Sequence, residues 1–171
     1  MELISKEVAA ELNQQIGREF RAMLQYLAIA NYFHRETLPE LAKYFYAQSD
    51  EERTHGLKVI QYLHDTGADL DIPGVEKCQY RFSTVEEAVS FSLNEEVELS
   101  KCINKLASLA RKKDDFATEN FLQFFIKEQL EEISSMEDLL ATVKRAGPDR
   151  LLLVEEYILR KKGSANLRLG E

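Results

Sequence analysis

Apolar residues recur along this chain at spacings of three and four, the period that places them on one face of a helix. The first such row reads Val8, Leu12, Gln15, Glu19, Ala22, Tyr26, Ile29, Phe33. A second reads Leu41, Phe45, Gln48, Glu52, His55, Val59, Tyr62, and a third Val85, Val89, Ser92, Glu96, Leu99, Ile103, Leu106. The fourth is Leu122, Phe125, Gln129, Glu132, Met136, Leu139, Val143. Pro39, Pro73 and Pro148 each fall where a row breaks, as expected of a residue that cannot sit inside a helix. The rows and breaks predict helices over about 5–35, 39–65, 84–112 and 115–146, with a short fifth helix over about 149–161 and a tail to 171. Thr37-Leu-Pro-Glu40 and Thr84-Val-Glu-Glu87 have the form of capping boxes. Gly67 and Gly147 stand where the left-handed residue of a C-terminal cap belongs.

Connection lengths set the topology. Only a few residues separate the first helix from the second and the third from the fourth, so each of those pairs is an antiparallel hairpin. The segment from Gly67 to Ser83 is long enough in extended form to run the length of a helix of about 40 Å. It is therefore a crossover, and the second and third helices run parallel. The expected fold is all-α: one domain over residues 1–171, built as a four-helix bundle over about 5–146 with one long crossover and a short C-terminal helix.

All four rows are apolar at both ends and acidic in the middle. Helix midpoints in a bundle lie at similar heights whichever way each helix runs, so Glu19, Glu52, Glu96 and Glu132 converge, with His55 beside Glu52 on the same face. A buried carboxylate costs several kcal/mol, and like charges nearby add to that, so such a layer requires cations or protons. Four ionised glutamates and a neutral histidine sum to a charge that two divalent ions would neutralise. An oxygen-rich set with one imidazole suits Fe(II), Mn(II) or Zn(II) better than Ca(II) or Mg(II).

Composition narrows the classes further. At 44% hydrophobic and 30% charged residues with no Trp, the 171-residue chain reads as a soluble globular protein large enough for its own core. Its net charge of −8, with no run of Lys and Arg that stands out, argues against a nucleic-acid partner. Cys78 and Cys102 form no C-x-x-C pair and read as reduced thiols. The N-terminus has no continuous apolar stretch for a signal peptide, and no segment reaches the length of a membrane span. A cytoplasmic protein without a membrane partner is expected.

One Glu from each of two helices, joined by Glu-x-x-His elements, is the known arrangement of ferritin-like di-iron proteins. The chain resembles the ferritins, specifically the haem-free bacterial and archaeal kind, over almost its whole length. The resemblance is carried by "REF" around Glu19 with Tyr26 one heptad on, "EERTH", Glu96 in "NEEVELS", "NFLQFFIKEQLEE" and the fifth helix "LLLVEEYIL". It implies a first iron site of Glu19, Glu52 and His55, and a second of Glu52, Glu96 and Glu132 with Gln129 beside it. It further implies an outer third site of Glu51, Glu128 and Glu131, and a role for Tyr26 next to the di-iron centre. The activity implied is a ferroxidase that uses O2 or hydrogen peroxide, with ferric oxyhydroxide stored inside a homo-oligomeric cage of about 24 subunits.

The chain departs from some relatives of that family. Bacterioferritins carry a second Glu-x-x-His on the fourth helix, where this chain has Glu128 followed by Glu131, and their haem-ligating methionine would fall at Arg53. No haem is expected. No paired C-x-x-C module of the rubrerythrin type is present. Blander readings exist for single residues: Glu51, Glu128 and Glu131 as a solvated face, Tyr26 as packing, His34 and His64 as surface, and Phe121, Phe124 and Phe125 as core or interface. For the whole chain the alternatives are a di-iron enzyme without storage, such as a peroxide reductase or oxygenase, and a metal-free helical interaction protein.

Overall fold

The computed structural model describes residues 3–168, with side chains through Lys161. Its helices are α1 (Lys6–Arg35), α2 (Pro39–Thr66), α3 (Val85–Lys112), α4 (Phe116–Ala146) and α5 (Leu151–Arg168), the last preceded by a 3-10 turn at Pro148–Arg150. Among the described residues there is no strand. The expected all-α four-helix bundle with a C-terminal helix is the fold observed, although α5 continues to Arg168 rather than ending near 161.

Local chemistry sets the helix ends. Ser5 Oγ accepts from the Val8 N–H at 3.3 Å, and the Asp115 carboxylate accepts from the Thr118 N–H at 3.0 Å. Thr84 accepts from the Glu87 N–H while Glu87 accepts from the Ser83 N–H, so the second capping box closes one residue earlier than its standard form. Gly67 ends α2 in the left-handed conformation, φ 71° and ψ 17°, as expected. Gly147 has φ 70° but ψ 172°, so it swings the chain out toward Pro148 instead of closing a left-handed cap.

The capping box expected at Thr37 does not form. Pro39 takes the first helical position, which it favours because it has no N–H to satisfy, and this leaves Leu38 as the cap. Leucine has no oxygen to offer. A buried carboxylate from α5 supplies the missing acceptor: Glu155 takes the Glu40 and Leu41 N–H groups, each at 2.8 Å.

The crossover lies along α1. Asn13 and Gln25 each clamp it with a pair of amide bonds: Asn13 Nδ2 donates to Asp69 O at 2.9 Å and Asn13 Oδ1 accepts from Asp71 N–H at 2.8 Å. Gln25 Nε2 donates to Gln79 O at 2.7 Å and Gln25 Oε1 accepts from Gln79 N–H at 2.9 Å. Between the clamps Gly17 lets Pro73 approach so closely that a Cβ there would lie 2.4 Å from Pro73 Cγ. Residue numbers rise together along α1 and the crossover, so the chain returns to the end where α2 began. The second and third helices are parallel, as their connection requires.

Two apolar clusters fill the bundle. One gathers Ile29, Phe33, Phe45, Val89, Leu139 and Val143, with Val154 and Ile158 of α5 packed onto it. The other gathers Leu12, Ile16, Val59, Ile103, Leu106 and Leu122. The predicted inner rows are buried except at Ala22, Gln48 and Tyr62, which are half-buried. Between the clusters the inner rows are polar.

Candidate metal centre

That polar layer contains Glu19, Glu52, His55, Glu96, Gln129 and Glu132, each at most 8% exposed. The helical period brings them there: every one sits in an inward row at the middle of its helix, where a side chain is turned away from bulk solvent. Ligand atoms of Glu19, Glu52 and His55 lie within 4.8 Å of one another, and so do those of Glu52, Glu96 and Glu132. Glu52 is common to both groups. Glu19 Oε2, Glu52 Oε2 and Gln129 Oε1 are buried without a hydrogen-bond partner, which is an expensive arrangement for three oxygens unless protons or a cation lie among them.

Second contacts hold the layer in place. Gln15 Nε2 donates to Glu19 Oε1 at 2.8 Å, and Arg18 in turn donates to Gln15 Oε1 at 3.0 Å. The Tyr26 hydroxyl donates to Glu96. Gln129 donates its amide to Glu96 Oε2 at 3.1 Å and also to Glu132. His55 Nδ1 lies 3.5 Å from Glu52 and 3.8 Å from Glu132, while its ring meets Phe124 and Phe125 edge-on.

Protonation follows from burial. Loss of water, and then the charge of Glu52, push Glu19 well above the usual carboxylate range. Burial and the charge of Glu96 do the same to Glu52. Glu96 is raised by burial but held back by the hydrogen bonds from Tyr26 and Gln129. Glu132 is pushed up to about 8 by burial and Glu96. Burial and the facing carboxylates raise Tyr26 well above its ordinary value, so it keeps its proton and remains a donor. Without a cation the layer therefore holds protons at neutral pH, and a divalent ion would take their place.

Glu51, Glu128 and Glu131 stand outside both tight groups. They line a cavity of about 270 Å³ between α2 and α4, together with Tyr44, Gln48, Glu132 and Lys161. Glu128 Oε2 is 3.9 Å from His55 Nε2, and burial raises Glu51. Cys78 and Cys102 are free thiols, and His34 and His64 are exposed near helix ends. Gln15 and Tyr44 escaped the sequence reading as site residues. Gln15 was detectable, since it occupies the same inward row one turn before Glu19; Tyr44 lies off the row.

Among the described residues no helix is long and apolar enough to cross a membrane. Residues 9–146 match the family described as Ferritin-like domain. The chain is 40% identical to Ferritin BfrB of Mycolicibacterium smegmatis over 156 residues, 91% of this chain and 86% of that protein. It is 35% identical to the bacterial non-heme ferritin of Staphylococcus aureus over 147 residues, 86% of this chain and 89% of that one. A novel open pore ferritin from the archaeon Archaeoglobus fulgidus superposes with a TM-score of 0.89 at 29% identity, covering 92% of this chain and 98% of the other. The fold, the acidic layer at mid-bundle and these likenesses agree: the chain belongs to the ferritin family.

Proposed function

We propose that this protein stores iron and that each subunit is a ferroxidase, oxidising Fe(II) at the mid-bundle layer before the ferric product is laid down as oxyhydroxide inside a homo-oligomeric, 24-subunit cage. The observation that carries the reading is the set of orphaned buried oxygens among clustered carboxyls, which a pair of cations would satisfy together in place of protons. One Fe(II) takes Glu19, Glu52 and His55; the other takes Glu52, Glu96 and Glu132, so Glu52 bridges them. Hard anionic oxygens favour the ferric state over the ferrous.

Each Fe(II) gives up one electron. O2 receives the pair with two protons and leaves as hydrogen peroxide, or peroxide receives the pair with two protons and leaves as two waters. Pairing the metals avoids releasing a one-electron oxygen radical. Tyr26 and Gln129 hold Glu96 and Glu132 in place from their protonated and amide donors. Glu51, Glu128 and Glu131 form a third, outer cation station on the way to or from the pair. The centre works without haem: Arg53, exposed on α2, occupies the position of the haem-ligating methionine of bacterioferritins.

The test is Glu52→Ala. Loss of the bridging carboxylate removes the fast phase of aerobic Fe(II) oxidation and lowers the anaerobic Fe(II) stoichiometry. An unchanged initial rate with full metal uptake would sink the assignment.

A further inference from the structure

The carboxylate layer can be approached from two opposite faces of the bundle, and the two approaches differ in charge. On the α2/α4 side lies the cavity with Glu51, Glu128, Glu131 and Glu132. On the α1/α3 side lies a second cavity of about 230 Å³, which touches Glu96 itself and has Ala22, Leu99 and Cys102 in its walls. Its rim carries Arg18 and Arg21. Both guanidiniums are held in place: Arg18 bonds Glu11 at 2.7 Å and Gln15 at 3.0 Å, and Arg21 pairs with Glu95. Glu98, also on the rim, is taken by Lys101 at 2.6 Å.

At that mouth Arg18 is matched by Glu11, Arg21 by Glu95 and Glu98 by Lys101, so a cation meets no unpaired carboxylate before Glu96, whereas the opposite cavity presents four acids against Lys161. A divalent ion finds no net attraction at a mouth whose charges are already paired, and it would have to shed water against an apolar wall. A small neutral molecule meets no such barrier, and of the two oxidants it is O2, not the hydrogen-bonding peroxide, that the apolar wall favours.

Resting on the metal-centre reading above, we propose that the α1/α3 cavity is the route by which the neutral oxidant, O2 or hydrogen peroxide, reaches the Glu96 side of the centre, while cations arrive from the acidic α2/α4 side. The two substrates then approach from different directions. With Arg18 and Arg21 paired to Glu11 and Glu95, the oxidant path lacks the surplus of acids that draws cations to the other face.

Cys102 offers a handle, because a small disulfide-forming reagent such as methyl methanethiolsulfonate places a plug in the cavity without touching a ligand. The protein is used as the Cys78→Ser variant, with the single modification confirmed by mass, and Ala22→Phe serves as a second, genetic plug. Fe(II) is bound anaerobically to the full chain, its stoichiometry is measured, and the preloaded protein is mixed in separate runs with O2 and with peroxide. The expected result is unchanged anaerobic uptake and oxidation about tenfold slower, an added barrier of about 1.4 kcal/mol. Slowing with one oxidant alone identifies that oxidant as the traveller. Removing the plug with a thiol, followed by desalting, restores the rate. Full-speed oxidation of preloaded iron in both plugged forms would overturn the proposal, as would slower metal uptake with normal oxidation afterwards. Failure of the unmodified protein to take up Fe(II) at all would instead overturn the metal-centre reading.

Discussion

Glu132 shows what the mid-bundle layer demands of a single residue. Its carboxyl is held at about 8 against an ordinary value of 4.5, by burial first and by Glu96 next. Because the folded state then binds a proton more tightly than the unfolded chain, this stabilisation is complete below about pH 4.5 and is lost as pH rises through the folded value. Glu19, Glu52 and Glu96 shift in the same direction. Each such carboxyl tilts stability by at most about 1.4 kcal/mol per pH unit within its window. Chelator-treated protein should therefore unfold at a lower temperature at pH 8 than at pH 5.5, and Zn(II) should restore it most at the higher pH, since the cation replaces the missing protons. A metal-free melting temperature that rises over that interval would contradict the electrostatics described here. These residues were legible in the sequence because one rule, the helical period, places them all. The supporting contact from Gln15 to Glu19 obeys the same rule, but nothing in the spacing says that an inward glutamine will donate to the carboxylate one turn ahead.

At the scale of elements, the helices and their order could be read from periodicity and proline placement, whereas the ties between distant segments could not. Asn13 meets the crossover 56 and 58 residues away, Gln25 meets it 54 away, and Glu155 meets α2 across 114 and 115 residues. No local pattern records such partners. Thr37 misled for a related reason: a capping box needs its Thr at the cap, and Pro39 moved the cap to Leu38. The consequence is that α5 holds down the start of α2. Glu155→Ala should cost roughly 1.5–3 kcal/mol, the range for a hydrogen bond to a charged group, because two buried N–H groups lose their acceptor. Amide exchange should quicken at Glu40 and Leu41 and through α5. Unchanged exchange there, with an unchanged urea midpoint, would show that Val154 and Ile158 packing alone secures the helix.

Across the whole molecule, the apolar core is interrupted where a simple bundle would be most apolar. Two clusters stabilise the fold above and below, and the layer between them gives up apolar burial for carboxyls that could hold cations. Two cavities of different charge open onto that layer from opposite faces. Under the proposed function, storage is the property that a single subunit cannot supply, since a bundle that held a pair of ions would have to pass them on to a shared interior. The proposed cage would be that interior, and closed rotational symmetry is how such shells end their own growth.

Aerobic addition of Fe(II) in large excess over subunits, followed by ferric absorbance and then by the mass of soluble iron-bearing particles, tests the account most directly. The account predicts rapid oxidation, with the iron retained in a large soluble particle well beyond the capacity of the paired sites. Oxidation that stalls at the paired-site stoichiometry, or iron that precipitates outside the protein, would contradict storage and leave a di-iron bundle acting on some other substrate.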